Sequence, residues 1–408
     1  MKKKNLILKN NIQEKNLKTV SKKKLEGKFE KIFLDIKHNI KNKKNCLNIL
    51  DKGFKYNFKT QDLKKFKKFK TIAFIGMGGS ILGSEAIYDF FKNKIKKKIY
   101  FFDNLDENKI SYFKKKETIS KVLFVVTSKS GNTIETLSNI FLLKVIKKRA
   151  NNLILIAEKN NLLHLISKKF NIFFVEHKNF IGGRYSVLSE VGLIPSYLMG
   201  INIKRFRSNI SNCLKGNNKV FLKDSSIKLA ELINTGKFNN LIFLNYEPSI
   251  QKFLYWCQQL IAESLGKKGK GFLPMISNVP KDHHSLLQLY LDGPKDKIFN
   301  IFSLEKKSKE VISISNSINI NHFLNKKKFN NIKIAQKNAL IKTFIKKNIY
   351  FREFEIKRSS EEVLGELFAY FILETVIVGK MININPFDQP AVEQVKIYTK
   401  NYLVKKSK

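Results

Sequence analysis

The sequence predicts an α/β protein made of two doubly wound parallel-sheet domains in tandem, and three observations carry that reading. Short apolar runs of strand length recur at 72–75, 99–102, 122–126, 153–156 and 172–175, with helical segments between several of them. Such alternation builds a parallel sheet covered by helices. A second series follows at 241–244, 298–302, 311–314 and 349–354. At 408 residues, 43% of them hydrophobic and 12% aromatic, the chain is long enough for two domains and apolar enough to pack both cores.

Taken in order, residues 1–68 are lysine-rich, with Phe29, Ile32, Phe33 and Ile36 at amphipathic helical spacing, and read as a helical lead-in. Residues 69–212 are assigned to the first α/β domain and 213–380 to the second. Within the second, a helix over about 249–265 is closed by Gly266, and a long helix over about 361–380 leads to the break at Asn385-Pro386. Residues 381–408 form a helical arm starting near Pro390, since proline suits the first helical position.

The apolar stretch 367–381 is interrupted by Glu374 and Lys380 and is too short to span a membrane. The basic N-terminus is followed only by an apolar patch at 6–8, too short for a signal peptide. A soluble cytoplasmic protein without a membrane partner is expected. Cys46, Cys213 and Cys257 are odd in number and far apart, so neither a disulfide framework nor a metal-ligand spacing is expected.

The formal charge of +45 raises nucleic acid as a partner. Yet only six of the 78 basic residues are arginine: 149, 184, 205, 207, 352 and 358. Nucleic-acid readers depend on arginine for bidentate and stacking contacts. The scattered lysines read as solvated surface whose field draws in anionic metabolites, and no nucleic-acid partner is expected.

The strongest local signal is Thr127-Ser128-Lys129-Ser130-Gly131-Asn132-Thr133-Ile134-Glu135-Thr136, between the run at 122–126 and an expected helix over about 133–145. Ser128, Ser130, Thr133 and Thr136 place four hydroxyls at a strand-to-helix turn, where the first helical N–H groups lack partners and the helix dipole favours an anion. One capping residue would satisfy a helix start; four hydroxyls and a glycine fit a phosphate better. The order Ser-x-Ser-Gly-x-Thr-x-Glu-Thr resembles the sugar isomerase (SIS) fold, whose members bind phosphosugars at this loop.

A second turn, Gly76-Met77-Gly78-Gly79-Ser80-Ile81-Leu82-Gly83, follows the run at 72–75. The dinucleotide fingerprint fails because Ile81 stands where a third small residue is needed, and a P-loop fails because Ser84 and Glu85 follow Gly83. What remains is a turn that lets backbone approach a ligand, with Ser80 at a helix start.

Further along, Arg184 follows Gly182 and Gly183, a placement that suits planar recognition of an anion. Glu263, seven residues after Trp256 and three after Leu260, falls on the apolar face near a helix C-terminus. Partial desolvation and the opposing dipole would both disfavour its charged form, the tuning a general base needs. His283 and His284 are adjacent and lack a third metal ligand at helical or hairpin spacing. One could move a proton while the other packs or caps. Lys396, four residues after Val392 in Asp388-Gln389-Pro390-Ala391-Val392-Glu393-Gln394-Val395-Lys396, is expected to border a buried stripe.

These segments together resemble the glucose-6-phosphate isomerase family (phosphoglucose isomerases) in its short bacterial form, from about residue 70 to the C-terminus. The resemblance implies two tandem SIS-type, flavodoxin-like domains and reversible interconversion of glucose 6-phosphate and fructose 6-phosphate through a cis-enediol, in glycolysis and gluconeogenesis, without metal or organic cofactor. By the same resemblance Glu263 is the base between C1 and C2, Arg184 steadies the enediolate, His284 opens the sugar ring, and Lys396 lies near the ring oxygen. Ser128, Lys129, Ser130, Thr133 and Thr136, with Gly79 and Ser80 nearby, fall on the phosphate site. The family is dimeric, so a homodimer lending His284 across its interface is implied.

Two other functions remain open at this level: a dual-specificity phosphoglucose/phosphomannose isomerase, and a non-catalytic phosphosugar-binding SIS regulator. The regulator would have no use for Glu263, His284 and the tail motif together. The chain departs from the family at Leu265, where Asn is usual, and at Gln394 and Val395, where Leu and Gly are common.

Overall fold

The computed structural model describes residues 5–13, 22–306, 308–314 and 322–405. The chain opens on β1 (Leu6–Asn10) and α1 (Lys22–Lys41). The first sheet is built from β2 (Thr71–Ile75), β3 (Lys98–Phe102), β4 (Val122–Thr127), β5 (Leu153–Ala157) and β6 (Phe173–Glu176). Its strands run in the order β3-β2-β4-β5-β6, and every pairing is parallel. Helices α2 (Leu82–Phe91), α3 (Glu107–Lys116), α4 (Ile134–Leu142) and α5 (Leu162–Phe170) connect them. All six residues of β4 and all five of β5 are buried, as strands covered on both faces must be.

Helices α6 (Glu190–Leu198), α7 (Ile203–Ser208) and α8 (Gly216–Thr235) lead to the second sheet. There β7 (Asn240–Asn245), α9 (Gln251–Leu265), β8 (Leu273–Asn278), α10 (Leu287–Asp292), β9 (Lys297–Leu304), α11 (Phe329–Lys346) and β10 (Phe351–Ile356) follow in turn. The order β1-β10-β9-β7-β8 is parallel except at β1, which runs antiparallel to β10. Helix α12 (Glu361–Met381) and the terminal α13 (Glu393–Lys405) complete the chain.

Three local expectations change. The lysine-rich lead-in contains the strand β1, which closes the free edge of β10 with Leu6 opposite Ile356. The apolar run at 311–314 forms only an isolated bridge, Val311 to Lys328. Conversely β8 is a full strand, and its Pro274 is tolerated because β8 lies at the sheet edge.

Helix α12 is buried almost all round, from Val363 to Gly379, as suits a central helix rather than an amphipathic one. Its Glu374 meets the fully buried Arg352 of β10 at 2.5 Å. Trp256 of α9 meets Phe368 of α12 edge-on at 4.6 Å between centroids. Among the described residues no helix is long and apolar enough to cross a membrane.

The strand order places the candidate loops. In the first sheet the chain leaves β2 toward one side and β4 toward the other, so the turns after these two strands flank the point where the winding reverses. Ligands of open α/β sheets bind there, beyond the carboxyl ends of the strands. The glycine turn follows β2, the Ser/Thr loop follows β4, and Ile75 and Val126 are register partners at those ends.

Candidate active site

The Ser/Thr loop is pinned at its base, where the Ser128 amide donates to the Ile156 carbonyl at 3.0 Å and the Glu158 amide to the Lys129 carbonyl at 3.1 Å. Gly131 takes φ +70°, and a Cβ there would lie 2.5 Å from the Asn161 side chain, so both conformation and space demand glycine. Thr133 is the residue preceding α4, yet its hydroxyl makes no capping bond to the helix. It lies 3.0 Å from the Ser128 hydroxyl instead. The Thr136 hydroxyl is buried without a partner. Side-chain oxygens in a helix's first turn that do not serve its N–H groups are left for another ligand. Lys129 turns aside: its ammonium donates to the Asn179 carbonyl at 2.8 Å and lies 3.6 Å from Glu158.

The glycine turn is packed tightly against the segment carrying Arg184. A Cβ on Gly79 would lie 2.2 Å from the Gly183 carbonyl carbon and 2.4 Å from the Arg184 nitrogen. Gly78, at φ +50°, leaves room for the Gln259 amide, which a Cβ would meet at 2.7 Å. Ser80 ends a 3-10 turn, Gly78–Ser80, just before α2. The turn thus touches both Arg184's backbone and the α9 face that holds Glu263.

Arg184 is 3% exposed, and each of its five N–H donors has an acceptor. Nε donates to the Ser264 hydroxyl (2.8 Å); Nη1 donates to Glu263 Oε2 (3.1 Å) and Gln389 Oε1 (2.8 Å). Nη2 donates to the carbonyls of Pro386 (2.6 Å) and Asp388 (3.0 Å). The guanidinium also lies 5.1 Å from the Tyr185 ring. Burial pushes the Tyr185 hydroxyl up to about 12, so it stays protonated and donates to Pro386 O at 2.8 Å. Lys267 grips the same tail turn through Asn385 O and Asp388.

Glu263 projects from the last turns of α9 with its side chain 35% exposed. The burial expected of its helical face is therefore partial. Oε2 meets Arg184, and Oε1 accepts from the Gln259 amide one turn earlier at 2.9 Å. A half-open carboxylate whose oxygens face a fixed guanidinium and a carboxamide can exchange a proton with a substrate carbon while a positive charge stands beside the developing anion.

The other two expected groups lie apart in this chain. His284 is exposed at the end of a 3-10 turn after β8, and none of its described contacts reaches Glu263, Arg184 or the Ser/Thr loop. Its neighbour His283 packs instead, with Nε2 3.2 Å from the Tyr246 hydroxyl; burial first, then His284, hold it below the ordinary imidazole value. Lys396 does not border a buried stripe. Its described neighbours on α13 are exposed throughout, including Val395 and Ile397, as is Val392 just before the helix, and its ammonium pairs with Glu393 at 2.7 Å. Amphipathic spacing set the stripe, but in a single chain no element covers it.

Four contributors carried no sequence assignment: Gln389, Gln259, Ser264 and Tyr185. Gln259 was legible as the i−4 neighbour of Glu263 on one helix. Gln389 required knowing that the tail folds back onto Arg184.

The chain matches the phosphoglucose isomerase family over residues 10–407. It is 32% identical over 364 residues to the glucose-6-phosphate isomerase of Methanocaldococcus jannaschii, covering 84% of this chain and 88% of that one. To the glucose-6-phosphate isomerase of Campylobacter jejuni it is 29% identical over 382 residues, covering 88% and 89%. Among solved structures, a glucose-6-phosphate isomerase from Chlamydia trachomatis superposes with a TM-score of 0.78 at 17% identity, covering 99% of this chain and 89% of that one. A hypothetical protein from Thermus thermophilus superposes with a TM-score of 0.81 at 22% identity, covering 98% and 99%. At those identities the two structures establish likeness of fold.

Proposed function

The chain belongs to the phosphoglucose isomerase family, and from that premise we propose how its own residues divide the work. The enzyme reversibly interconverts glucose 6-phosphate and fructose 6-phosphate, an aldose–ketose isomerisation. Glu263 takes the C2 proton of the open-chain aldose. The C–H electron pair becomes the C1–C2 double bond as the carbonyl oxygen gains negative charge; the hydroxyl proton on O2 passes to O1, and the proton on Glu263 is returned at C1 as the C2 carbonyl forms. Arg184 stands beside the charge that develops on the enediolate oxygens. The sugar gains and loses no net hydrogen or electrons, so a base and a fixed cation supply what the step needs.

Ser128, Ser130, Thr133 and Thr136, with the Gly79–Ser80 turn, hold the phosphate at the other end of the substrate. Lys129 acts at one remove, since its ammonium is engaged by Asn179 and Glu158. His284 opens the ring from the second copy of a homodimer, and Lys396 assists. Support for the dimer comes from the exposure of His284 and from the exposed apolar side chains of α13. Three buried free thiols, Cys46, Cys213 and Cys257, fit a reducing cytoplasm.

The observation that carries the reading is the contact of Glu263 with the buried, fully bonded Arg184. The experiment is Glu263→Gln, which keeps shape and hydrogen bonding but cannot accept the proton. A kcat loss of roughly 10²-fold or more is expected, with substrate still bound and exchange of the C2 hydrogen with solvent falling in parallel. Exchange that stays near wild type would assign the base elsewhere.

A further inference from the structure

One buried hydrogen-bonded pair, His177 and Glu190, lies outside the groups that act on the sugar. His177 directly follows β6 and is 3% exposed; Glu190 begins α6 and is 0% exposed. His177 Nδ1 lies 2.7 Å from Glu190 Oε1, and Nε2 lies 3.1 Å from the Ile181 carbonyl oxygen. Both ring nitrogens thus have a partner, a carboxyl group on one side and a carbonyl on the other. The Lys178 amide adds a 3.4 Å contact to the same carboxylate oxygen. One side chain therefore ties the end of β6, the start of α6 and the loop between them.

That loop connects the two halves of the site. Its Asn179 carbonyl accepts from Lys129 of the Ser/Thr loop at 2.8 Å, and Ile181, 0% exposed, stands three residues before Arg184. Beyond Arg184, the Leu188 carbonyl is fixed by Arg207 at 2.5 Å. Between these anchors the Gly182-Gly183 pair gives the backbone little stiffness of its own.

We propose that His177, held by Glu190, is a positioning residue for Arg184, setting where the guanidinium stands relative to the phosphate loop. The proposal rests on the role given to Arg184. Its consequence is kinetic: the phosphate fixes one end of the sugar, and a displacement of about 1 Å at the reacting end is enough to cost about 10²-fold in rate.

The test is His177→Phe, which keeps a ring and removes both hydrogen bonds. We expect kcat to fall about 10- to 100-fold while KM for glucose 6-phosphate stays within about threefold, because the phosphate loop keeps its own backbone anchors at Ile156 and Glu158. Affinity for a phosphorylated sugar acid, whose carboxylate imitates the enediolate charge, should fall in step with kcat/KM. A packing role would lower only stability, and wild-type kcat or intact binding of the sugar acid in the folded variant overturns the proposal. Should His177→Phe fail to fold, Glu190→Gln removes the charge at equal size. It should lower kcat by about three- to tenfold at unchanged KM, and wild-type kcat there is equally fatal. Arg184→Lys, measured alongside, separates the two readings. If it impairs turnover and His177→Phe does not, only the clamp is wrong; if it impairs neither turnover nor sugar-acid binding, the role of Arg184 itself is wrong.

Discussion

Arg184 meets five acceptors with five donors: Ser264, Glu263, Gln389 and the carbonyls of Pro386 and Asp388. Lysine, with three donors on a single nitrogen, could not hold that set, which accounts for an arginine here in a chain that otherwise uses lysine. Thr133 and Thr136 show the opposite condition, hydroxyls at a helix start with little protein to bond. Hydrogen bonds to a charged group are each worth about 1.5–3 kcal/mol. Replacing Ser128, Thr133 and Thr136 together by Ala should therefore raise KM for either sugar phosphate by about tenfold or more and leave kcat within about threefold. Steady-state kinetics on the folded variant decide it, and an unchanged KM with lost turnover would move the phosphate elsewhere. Both features were legible because a lone arginine after two glycines and a surplus of hydroxyls are local anomalies. The five-fold satisfaction of Arg184 was not, since three of its partners come from the tail some two hundred residues later.

At the level of elements, the site depends on backbone meeting backbone. The glycine turn after β2 presses on Gly183 and Arg184 with no room for a methyl group. Gly79→Ala would drive a Cβ into main-chain atoms that no side-chain rotation can clear. Overpacking of this kind costs about 1–3 kcal/mol, occasionally more. We expect a lower unfolding midpoint in urea together with a kcat reduced at least about tenfold, because the displaced atoms carry Arg184. A variant with wild-type midpoint and turnover would show that the turn and Arg184 move independently. The buried parallel strands β2, β4 and β5 were readable from continuous apolar runs bounded by turns. β1 and β8 were not: β1 is a strand only because β10 offers it a free edge, and Pro274 argues against a strand until β8 is known to be an edge. The run at 311–314 had the apolar pattern but pairs through a single bridge to Lys328 instead of joining a sheet.

At the scale of the whole molecule, the proposed site residues fall into two groups. Arg184, Glu263 and the two loops converge in one copy, whereas His284 and Lys396 are exposed and bonded to nothing in that site. Residue patterning pointed to the pair His283 and His284 and to Lys396, the family resemblance chose His284, and no described element of the chain covers the α13 stripe. A homodimer with shared sites makes a sharp prediction. Glu263→Gln and His284→Gln should each be nearly inactive alone. When the two are unfolded together and refolded as a mixture, the mixed dimer pairs the intact Glu263 of one subunit with the intact His284 of the other. One of its two sites is then wild type and the other carries both changes. With random pairing half the dimers are mixed, so about one quarter of wild-type activity should return. If both residues served the same chain's site, mixing would restore nothing. Recovery of activity on mixing, read against each variant refolded alone, therefore decides whether His284 acts across the interface.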